Sequence, residues 1–518
     1  MNAAKPQKEI LAALQTSLPA ALPAYLKEQR WFGGKARVIR SAIPVDAVPF
    51  PLPSKEAVMV LIDVSYEEGA TETYALPMMR TGQMQADEPE PGVLTIRENG
   101  GNAIRMRNAL ADEEFLSSLF EAVQMNLVLP GVEGQIRASS TAALRMLDVS
   151  PQAIRNPKPI KGEQSNSSIA YGDRAILKVL RRIEPGVNPD LEVGLFLTEK
   201  AHFPHTPPVA GFLEYEGKRG SMTLGTLQGF VVNQGDAWRY TSGELAKFYD
   251  QCERSSETQA LSALGGYFDN VRQVGRRTAE LHRALASDSS TPEFTPEPYT
   301  EAFQSELEQN CREATKHVFN LLRRQMSKVP PEYRTAAQEL ASREGDVLKR
   351  FRTMLARPVR GMRTRIHGDY HLGQVLYTGS DFVIIDFEGE PARPIAERRI
   401  KRSPLQDVAG MLRSFQYAAF APLLAAVGDN AQVFRNDAEH AQWAHTWEGL
   451  ASESFLAAYF ETSGNASYLP PTVQERELVL RLQLLEKSVY ELGYELDNRP
   501  SWVGIPLEGI RSLLFAGG

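Results

Sequence analysis

Two short segments constrain this chain more than anything else in it. The first is Ile366-His367-Gly368-Asp369-Tyr370-His371-Leu372-Gly373-Gln374, and the second is Val383-Ile384-Ile385-Asp386-Phe387-Glu388-Gly389-Glu390-Pro391. Between them, Val375-Leu376-Tyr377, a Thr378-Gly379-Ser380 turn and the strand-like Asp381–Ile385 read as a β-hairpin. Such a hairpin brings Gln374 and Asp386 together at one end, with Asp369 just upstream.

That set of groups suits phosphoryl transfer. Asp369 can accept or orient the proton of an attacking hydroxyl. The Gln374 amide oxygen and the Asp386 carboxylate are hard oxygen ligands of the kind magnesium takes. An aspartate, an amide a few residues on and an aspartate ending the next strand is the catalytic-loop order of protein kinases, with Gln in place of Asn. Ordinary turn chemistry explains either half alone, because Gly-Asp pairs are common in turns; the two halves at this spacing favour the catalytic reading. His367 and His371 stand at i and i+4, as zinc ligands on a helix do. However, no Glu follows His367, and Gly368 and Gly373 oppose a helix. His367 is therefore expected to brace the loop by hydrogen bonds.

A second element lies upstream. Lys178 sits inside the apolar strand-like run Ile176–Leu180. It either snorkels at a sheet edge or holds nucleotide phosphates, steadied by a helix carboxylate for which Glu192 is the first candidate and Glu199 the second. Before it, Gly162-Glu163-Gln164-Ser165-Asn166-Ser167-Ser168 offers backbone N–H groups and hydroxyls that could cover phosphates. No G-x-x-x-x-G-K-[ST] is present, which disfavours a P-loop enzyme.

Organisation along the chain agrees with several domains, as 518 residues at roughly 150 per domain imply. Residues 8–29 carry helical periodicity broken by Pro19 and Pro23. Strand-like runs follow at Ala57–Tyr66, Thr71–Met79 and Gly92–Arg97, and Asp112 is placed to cap a helix running to about Met125. Residues 1–132 thus read as a small α+β domain. Residues 133–234 read as a second α+β unit, with strands at Leu213–Tyr215, Ser221–Leu224 and Gly229–Val232. Residues 235–518 are mostly helical, with a Ser/Thr/Pro-rich loop at Ser287–Tyr299. Asp407 is expected to cap a helix beginning near Val408. The basic run Glu397–Arg402 reads either as a solvated loop or as a segment facing phosphate.

The balance of 57 Lys+Arg against 64 Asp+Glu, a net charge of −7, gives no global support to nucleic-acid binding. Two cysteines, Cys252 and Cys311, cannot build a disulfide framework or a Cys-rich zinc site for a chain this long. Met1–Glu9 lacks the apolar core of a signal peptide, and the longest apolar run, near Tyr417–Val427, is shorter than the ~20 residues of a membrane span. A cytoplasmic chain without membrane or nucleic-acid partners is expected.

A sugar acceptor would need hydroxyl-binding carboxylates and a flat apolar face. Glu486, Lys487, Tyr490, Glu491, Tyr494 and Glu495 share a segment of helical spacing, with Arg499 and Trp502 at its end. A salt-bridged helix with its tyrosines packed on the core is the competing reading.

The HGDYHLGQ and IDFEGEP segments resemble the aminoglycoside-phosphotransferase-like small-molecule kinases, and more closely the maltokinases. Further similarity lies in QRWFGGK near the start, Leu227–Trp238, Gly275–Ala286, Ser403–Phe415 and Leu485–Leu507. The resemblance implies an α+β, bilobal protein-kinase-like fold with an N-terminal cap domain (1–132), an ATP-binding N-lobe (133–234) and a helical C-lobe (235–518). It implies ATP and Mg2+ as cofactors, Asp369 as catalytic base, and Gln374 and Asp386 as metal ligands. Lys178, Glu192, Ser165, Asn166, Ser167 and Ser168 would serve the nucleotide, together with a hinge around Leu227–Val231 that includes Gln228 and Phe230. His371, Glu491, Tyr494, Glu495, Arg499 and Trp502 would face the sugar. The implied reaction is ATP-dependent conversion of maltose to maltose 1-phosphate, in trehalose- and glycogen-linked metabolism. Any trehalose synthase partner would be a separate protein. The alternatives are a kinase for another sugar or amino sugar such as glucosamine, and a non-catalytic kinase-like scaffold.

Overall fold

The computed structural model describes residues 11–12, 14–81, 92–97, 103–160, 166–391, 393–424 and 437–515. The chain forms two compact units, Met1–Val232 with Arg393–Ala396, and Asn233–Ala392 with Glu397–Gly518. Strands dominate the first and helices the second, the α+β division read from the sequence.

In the first unit, a short helix α1 (Leu22–Glu28) precedes β1 (Ile39–Phe50), β2 (Ala57–Tyr66), β3 (Thr71–Thr81), β4 (Val93–Arg97) and β5 (Ala103–Asn108). Helix α2 (Glu113–Gln124) follows. Its N-cap Asp112 accepts from the Glu114 and Phe115 N–H groups, as the sequence predicts. Then come β6 (Val128–Pro130), β7 (Gln135–Ser140), β8 (Lys158–Pro159), β9 (Asn166–Tyr171), β10 (Ala175–Leu180), β11 (Arg182–Ile183), α3 (Pro189–Glu199), β12 (Val209–Gly217) and β13 (Gly220–Gly229). One antiparallel sheet has the order β1-β2-β3-β5-β4, with β11 also pairing β3; a second has the order β6-β7-β12-β13-β10-β9-β8.

Strand β2 explains its own unbroken apolar run. Successive side chains point to opposite faces. Val58, Val60, Ile62 and Val64 join a core with Leu18, Leu22 and Leu26 of the N-terminal segment. Ala57, Met59 and Leu61 join another core with Ile136, Ile169, Leu177 and Leu213 of the second sheet. Both faces are covered, so no polar alternation survives.

The sequence reads separate strands at Ser221–Leu224 and Gly229–Val232, whereas β13 runs unbroken over Gly220–Gly229 and residues 230–232 form no strand. The break in the pattern is Gly225, and it is a packing requirement rather than an end: a Cβ there would meet the Lys178 carbonyl oxygen at 2.8 Å.

The second unit contains α4 (Ala237–Arg254), α5 (Gly265–Leu285), β14 (Glu297–Pro298), α6 (Glu301–Arg324), β15 (Met362–Arg363), β16 (Val375–Tyr377), β17 (Phe382–Ile384), α7 (Leu405–Phe420), α8 (Ala438–Ser463), α9 (Val473–Asn498) and α10 (Gly504–Phe515). Its helical core includes Leu307, Val318, Phe319 and Leu322 of α6, Leu485, Val489, Leu492 and Leu496 of α9, and Ile510 of α10. The 3–4-residue spacing of the α9 leucines and valine fixes which face of that helix is left for the cavity described below.

Candidate active site

The hairpin β16–β17 pairs Val375 with Ile384 and Tyr377 with Phe382. That register sets Gln374 beside Asp386, and the Gln374 side-chain amide donates to Asp386 Oδ2 at 3.0 Å. Asp386 has φ 69°, a left-handed conformation that costs a non-glycine residue about 1–3 kcal/mol and is characteristic of functional positions. An amide and a carboxylate meeting at one point make an oxygen donor set suited to Mg2+, once the amide end is turned to present its oxygen. Among the described residues, no cluster of three or more His, Cys, Asp or Glu has metal-site geometry. Waters and phosphate oxygens would complete such a site, as is usual for Mg2+.

His367 is the brace that the sequence suggests. One ring nitrogen, Nε2, contacts the Ile385 carbonyl at 2.9 Å, while Nδ1 accepts from the Asp369 N–H at 3.4 Å. Both nitrogens are thus engaged inside the loop, which removes the i, i+4 zinc reading.

The loop is also held from α7, by residues the sequence did not assign to the site. Asp407 does not cap a helix at Val408: the helix begins at Leu405, and Asp407 lies in its first turn. Its carboxylate is buried and accepts the His367 and Gly368 N–H groups at 2.8 and 2.9 Å, while His282 Nε2 lies 3.1 Å from Oδ2. Burial raises the Asp407 pKa, but His282, His367 and the Gly368 N–H lower it further, and the net position is below the ordinary carboxylate value. One turn on, a Cβ at Gly410 would meet the Tyr370 carbonyl oxygen at 2.5 Å, so only glycine lets the helix approach the loop. Ser414 Oγ accepts the Leu372 N–H at 3.1 Å.

Asp369 opens into a cavity of about 720 Å³. His371, Glu491, Tyr494, Glu495, Arg499 and Trp502 all line it, together with Asp236, Glu390, Tyr417, Lys487 and Tyr490. Helix α9 supplies Lys487, Tyr490, Glu491, Tyr494 and Glu495 from one broad face.

The charges in the cavity are organised. Lys487 Nζ lies 3.6 Å from Asp369 Oδ1. Burial lowers the Lys487 pKa, but Asp369, Glu491 and Glu390 outweigh it and raise it above the ordinary value. Burial pushes His371 down against the opposing pull of Asp369. Its Nδ1 accepts the Gly373 N–H at 3.0 Å, so the neutral ring carries its proton on Nε2, 4.0 Å from Asp369 Oδ2. Glu491 accepts from Arg413 Nε at 2.7 Å. Glu495 accepts from Arg499 Nη2 at 2.7 Å and from the Tyr417 hydroxyl at 3.1 Å. Trp502 is buried, stacked on Tyr417 at 5.9 Å with the Arg499 guanidinium 4.7 Å from its ring centre. Tyr494 is the exposed ring of the set.

In the first unit, Lys178 Nζ lies 4.0 Å from Asp190 Oδ2, and Gln228 Nε2 donates to the same oxygen at 3.5 Å. Asp190, two residues before the expected Glu192 on α3, is thus a carboxylate at ion-pair distance from this lysine. Lys178 pairs with Ser168 across β9–β10, and Val179 pairs with Ser167. Ser167 therefore faces away from Lys178, and its Oγ accepts from Arg181 Nε at 3.1 Å. Asn166 begins β9, and the Phe230 N–H donates to the Arg174 carbonyl. Ser165 lies outside the described residues. In the basic run, Lys401 is buried, with Nζ 2.6 Å from both Glu297 Oε1 and the Pro292 carbonyl, which corrects the solvated-loop reading for that residue.

Residues 25–112 match the maltokinase N-terminal cap domain, and residues 256–445 match the phosphotransferase enzyme family. A glucosamine kinase of Mycolicibacterium smegmatis is 25% identical over 437 residues, covering 83% of this chain and 94% of the relative. A glucosamine kinase of Streptacidiphilus jiangxiensis is 22% identical over 373 residues, covering 70% and 76%. Among solved structures, a glucosamine kinase in complex with glucosamine, ADP and inorganic phosphate has a TM-score of 0.60 at 18% identity, over 96% of this chain and 98% of the other. A second crystal form of glucosamine kinase gives 0.61 at 17% identity. These likenesses show a kinase-like fold across nearly the whole chain.

Proposed function

The chain belongs to the phosphotransferase enzyme family, in the group that carries a maltokinase-type cap, and from that premise we propose that it phosphorylates a sugar hydroxyl with ATP. One observation carries the proposal: Asp369, on the loop that leads into the Gln374–Asp386 pair, opens into a large cavity walled by carboxylates, cations and aromatic rings. In this reading Asp369 accepts the proton of the acceptor hydroxyl as that hydroxyl oxygen bonds to the γ-phosphorus of ATP and the bond from the γ-phosphorus to the β–γ bridging oxygen breaks, releasing ADP. Lys487 holds the Asp369 carboxylate in place. Lys178 binds nucleotide phosphates, with Asp190 and Gln228 fixing its surroundings. Mg2+ held by Gln374 and Asp386 would offset charge on the phosphates. The rate advantage then comes from positioning and electrostatics.

For the acceptor we favour an amino sugar of the glucosamine class. Asp236, Asp369, Glu390, Glu491 and Glu495 outnumber Lys487 and Arg499 in the cavity lining, which favours an ammonium group. The relatives named glucosamine kinase support the same choice. Maltose is the second reading, supported by the cap-domain match at residues 25–112. The test is ADP release with glucosamine, maltose and glucose at equal concentration, with and without Mg2+. Glucosamine should give the highest kcat/KM. A preference for maltose would replace the first reading by the second, and no ADP release with any sugar would overturn both, leaving the non-catalytic reading.

A further inference from the structure

A second polar cavity, of about 190 Å³, lies wholly within the first unit. It is lined by Arg30 and Trp31 of the QRWFGGK segment, by Asn108 at the end of β5, by Asn166 and Ser167 of β9, and by Arg181 at the β10–β11 junction. Arg181 is the unusual member. It is 2% exposed, and its one side-chain hydrogen bond among the described residues is from Nε to Ser167 Oγ. Among the described residues no carboxylate lies within ion-pair distance of it. The guanidinium lies 5.1 Å from the centre of the Trp31 ring. A cation–π contact recovers only part of what burying an isolated charge costs. Burial, opposed by Tyr25, pushes the Arg181 pKa down to about 10, so the group remains a cation at neutral pH. Its Nη donors have no acceptor in the described residues.

The rest of the lining is also donor-rich. Arg30 has no carboxylate at ion-pair distance among the described residues. Asn108 uses its oxygen to accept the Leu110 N–H, which leaves its amide N–H groups for the cavity. Among the described residues, no carboxylate lines the space. At ~30 Å³ per liquid water, the volume equals about six waters, enough for an oxyanion and too small for a nucleotide.

We propose that this cavity is a non-catalytic binding site for a small oxyanion of the phosphate class, clamped by Arg181 and Arg30 against Trp31. The ligand is inorganic phosphate or the phosphate group of a small ester; guanidinium forks match phosphate oxygens bidentately. Lys178 is not among the described residues lining this cavity, and Arg181, its central cation, and Ser167 lie on the strand side opposite that lysine while Asn166 and Ser168 lie on its side; the Lys178→Ala variant below separates this site from the proposed phosphate contact of that lysine. The site does not depend on the identity of the sugar acceptor.

The test uses the full-length chain, with calorimetric titration and thermal unfolding in inorganic phosphate, in glucose 6-phosphate and in chloride at matched ionic strength. Phosphate should bind saturably and raise the unfolding midpoint equally in the unaltered protein and in Lys178→Ala. Arg181→Met should abolish binding, and should unfold at a higher temperature than the unaltered protein when phosphate is absent. Removing the exposed Arg30, as Arg30→Ala, should weaken binding by about tenfold, the equivalent of one charge-assisted hydrogen bond. Binding of the ester but not of free phosphate would identify the ester as the ligand source. The proposal is overturned if phosphate acts no differently from chloride, if Lys178→Ala removes the effect, or if Arg30→Ala leaves affinity unchanged. Should Arg181→Met fail to fold, the Arg30→Ala result decides.

Discussion

Asp369 does not stand alone. Lys487 contacts it at 3.6 Å and remains charged at neutral pH, because the surrounding carboxylates more than offset its burial. We expect Asp369→Asn to lower kcat by about 10²–10⁴, the usual contribution of a positioned acid–base group, with nucleotide affinity nearly unchanged. ADP release and nucleotide calorimetry check the two halves of that statement, and near-normal turnover would remove Asp369 from its proposed role. Asp407 acts through the backbone instead. Asparagine at that position would turn an N–H2 toward a backbone N–H, so Asp407→Asn should cost about 2–3 kcal/mol of stability by leaving buried donors unpaired. The pH consequence has a definite sign. The folded pKa lies below the unfolded one, so the stabilisation is complete above about pH 4. It is lost as pH falls through the depressed folded value. Acid unfolding of Asp407→Asn should therefore show a weaker dependence on pH below 4 than that of the parent protein.

At the scale of elements, α7 organises the site. Asp407, Gly410, Ser414 and Tyr417 recur every three or four residues and form one stripe. The stripe engages His367 and Gly368, the Tyr370 carbonyl, the Leu372 N–H and Glu495 in turn. The helix is buried along almost its whole length, so it has no freedom to slide. Gly410→Ala would place a methyl group 2.5 Å from a backbone oxygen, which cannot rotate aside. The expected result is a loss of about 1–3 kcal/mol in unfolding free energy together with a fall in kcat, because the displaced carbonyl is next to Asp369. Thermal unfolding and steady-state kinetics on one preparation test it; unchanged kcat would show that the loop does not depend on this contact.

On the scale of the whole chain, the first unit is tied together by a buried carboxylate. Asp46 on β1 accepts the Ala47, Val132 and Glu133 N–H groups through Oδ1 and the Tyr215 hydroxyl through Oδ2. It thus joins the first sheet to β12 and to the turn before β7 of the second. The apolar core crosses between the same two sheets. Asp46→Ala strands several buried donors at once and should destabilise the unit by about 3 kcal/mol or more. If its unfolding midpoint matches that of the parent protein, the two sheets are held by the apolar core alone. Among the described residues, no helix is long and apolar enough to cross a membrane.

What could be read from the order of residues was whatever local geometry fixes. The turn between Val375 and Ile385 sets a hairpin register, and that register alone brings Gln374 to Asp386. Helical spacing alone puts Glu491, Tyr494 and Glu495 on one face. Periodicity names a face but not its neighbour, and here tertiary structure took over. It brought Asp190 to Lys178, turned Asp407 from an expected cap into the anchor of the loop, and set Lys487 against Asp369. It also left Arg181 buried with no carboxylate at ion-pair distance among the described residues. Each of these depends on partners distant in sequence meeting in a low-dielectric interior. There the nearest charge dominates, and no local pattern records which charge that will be.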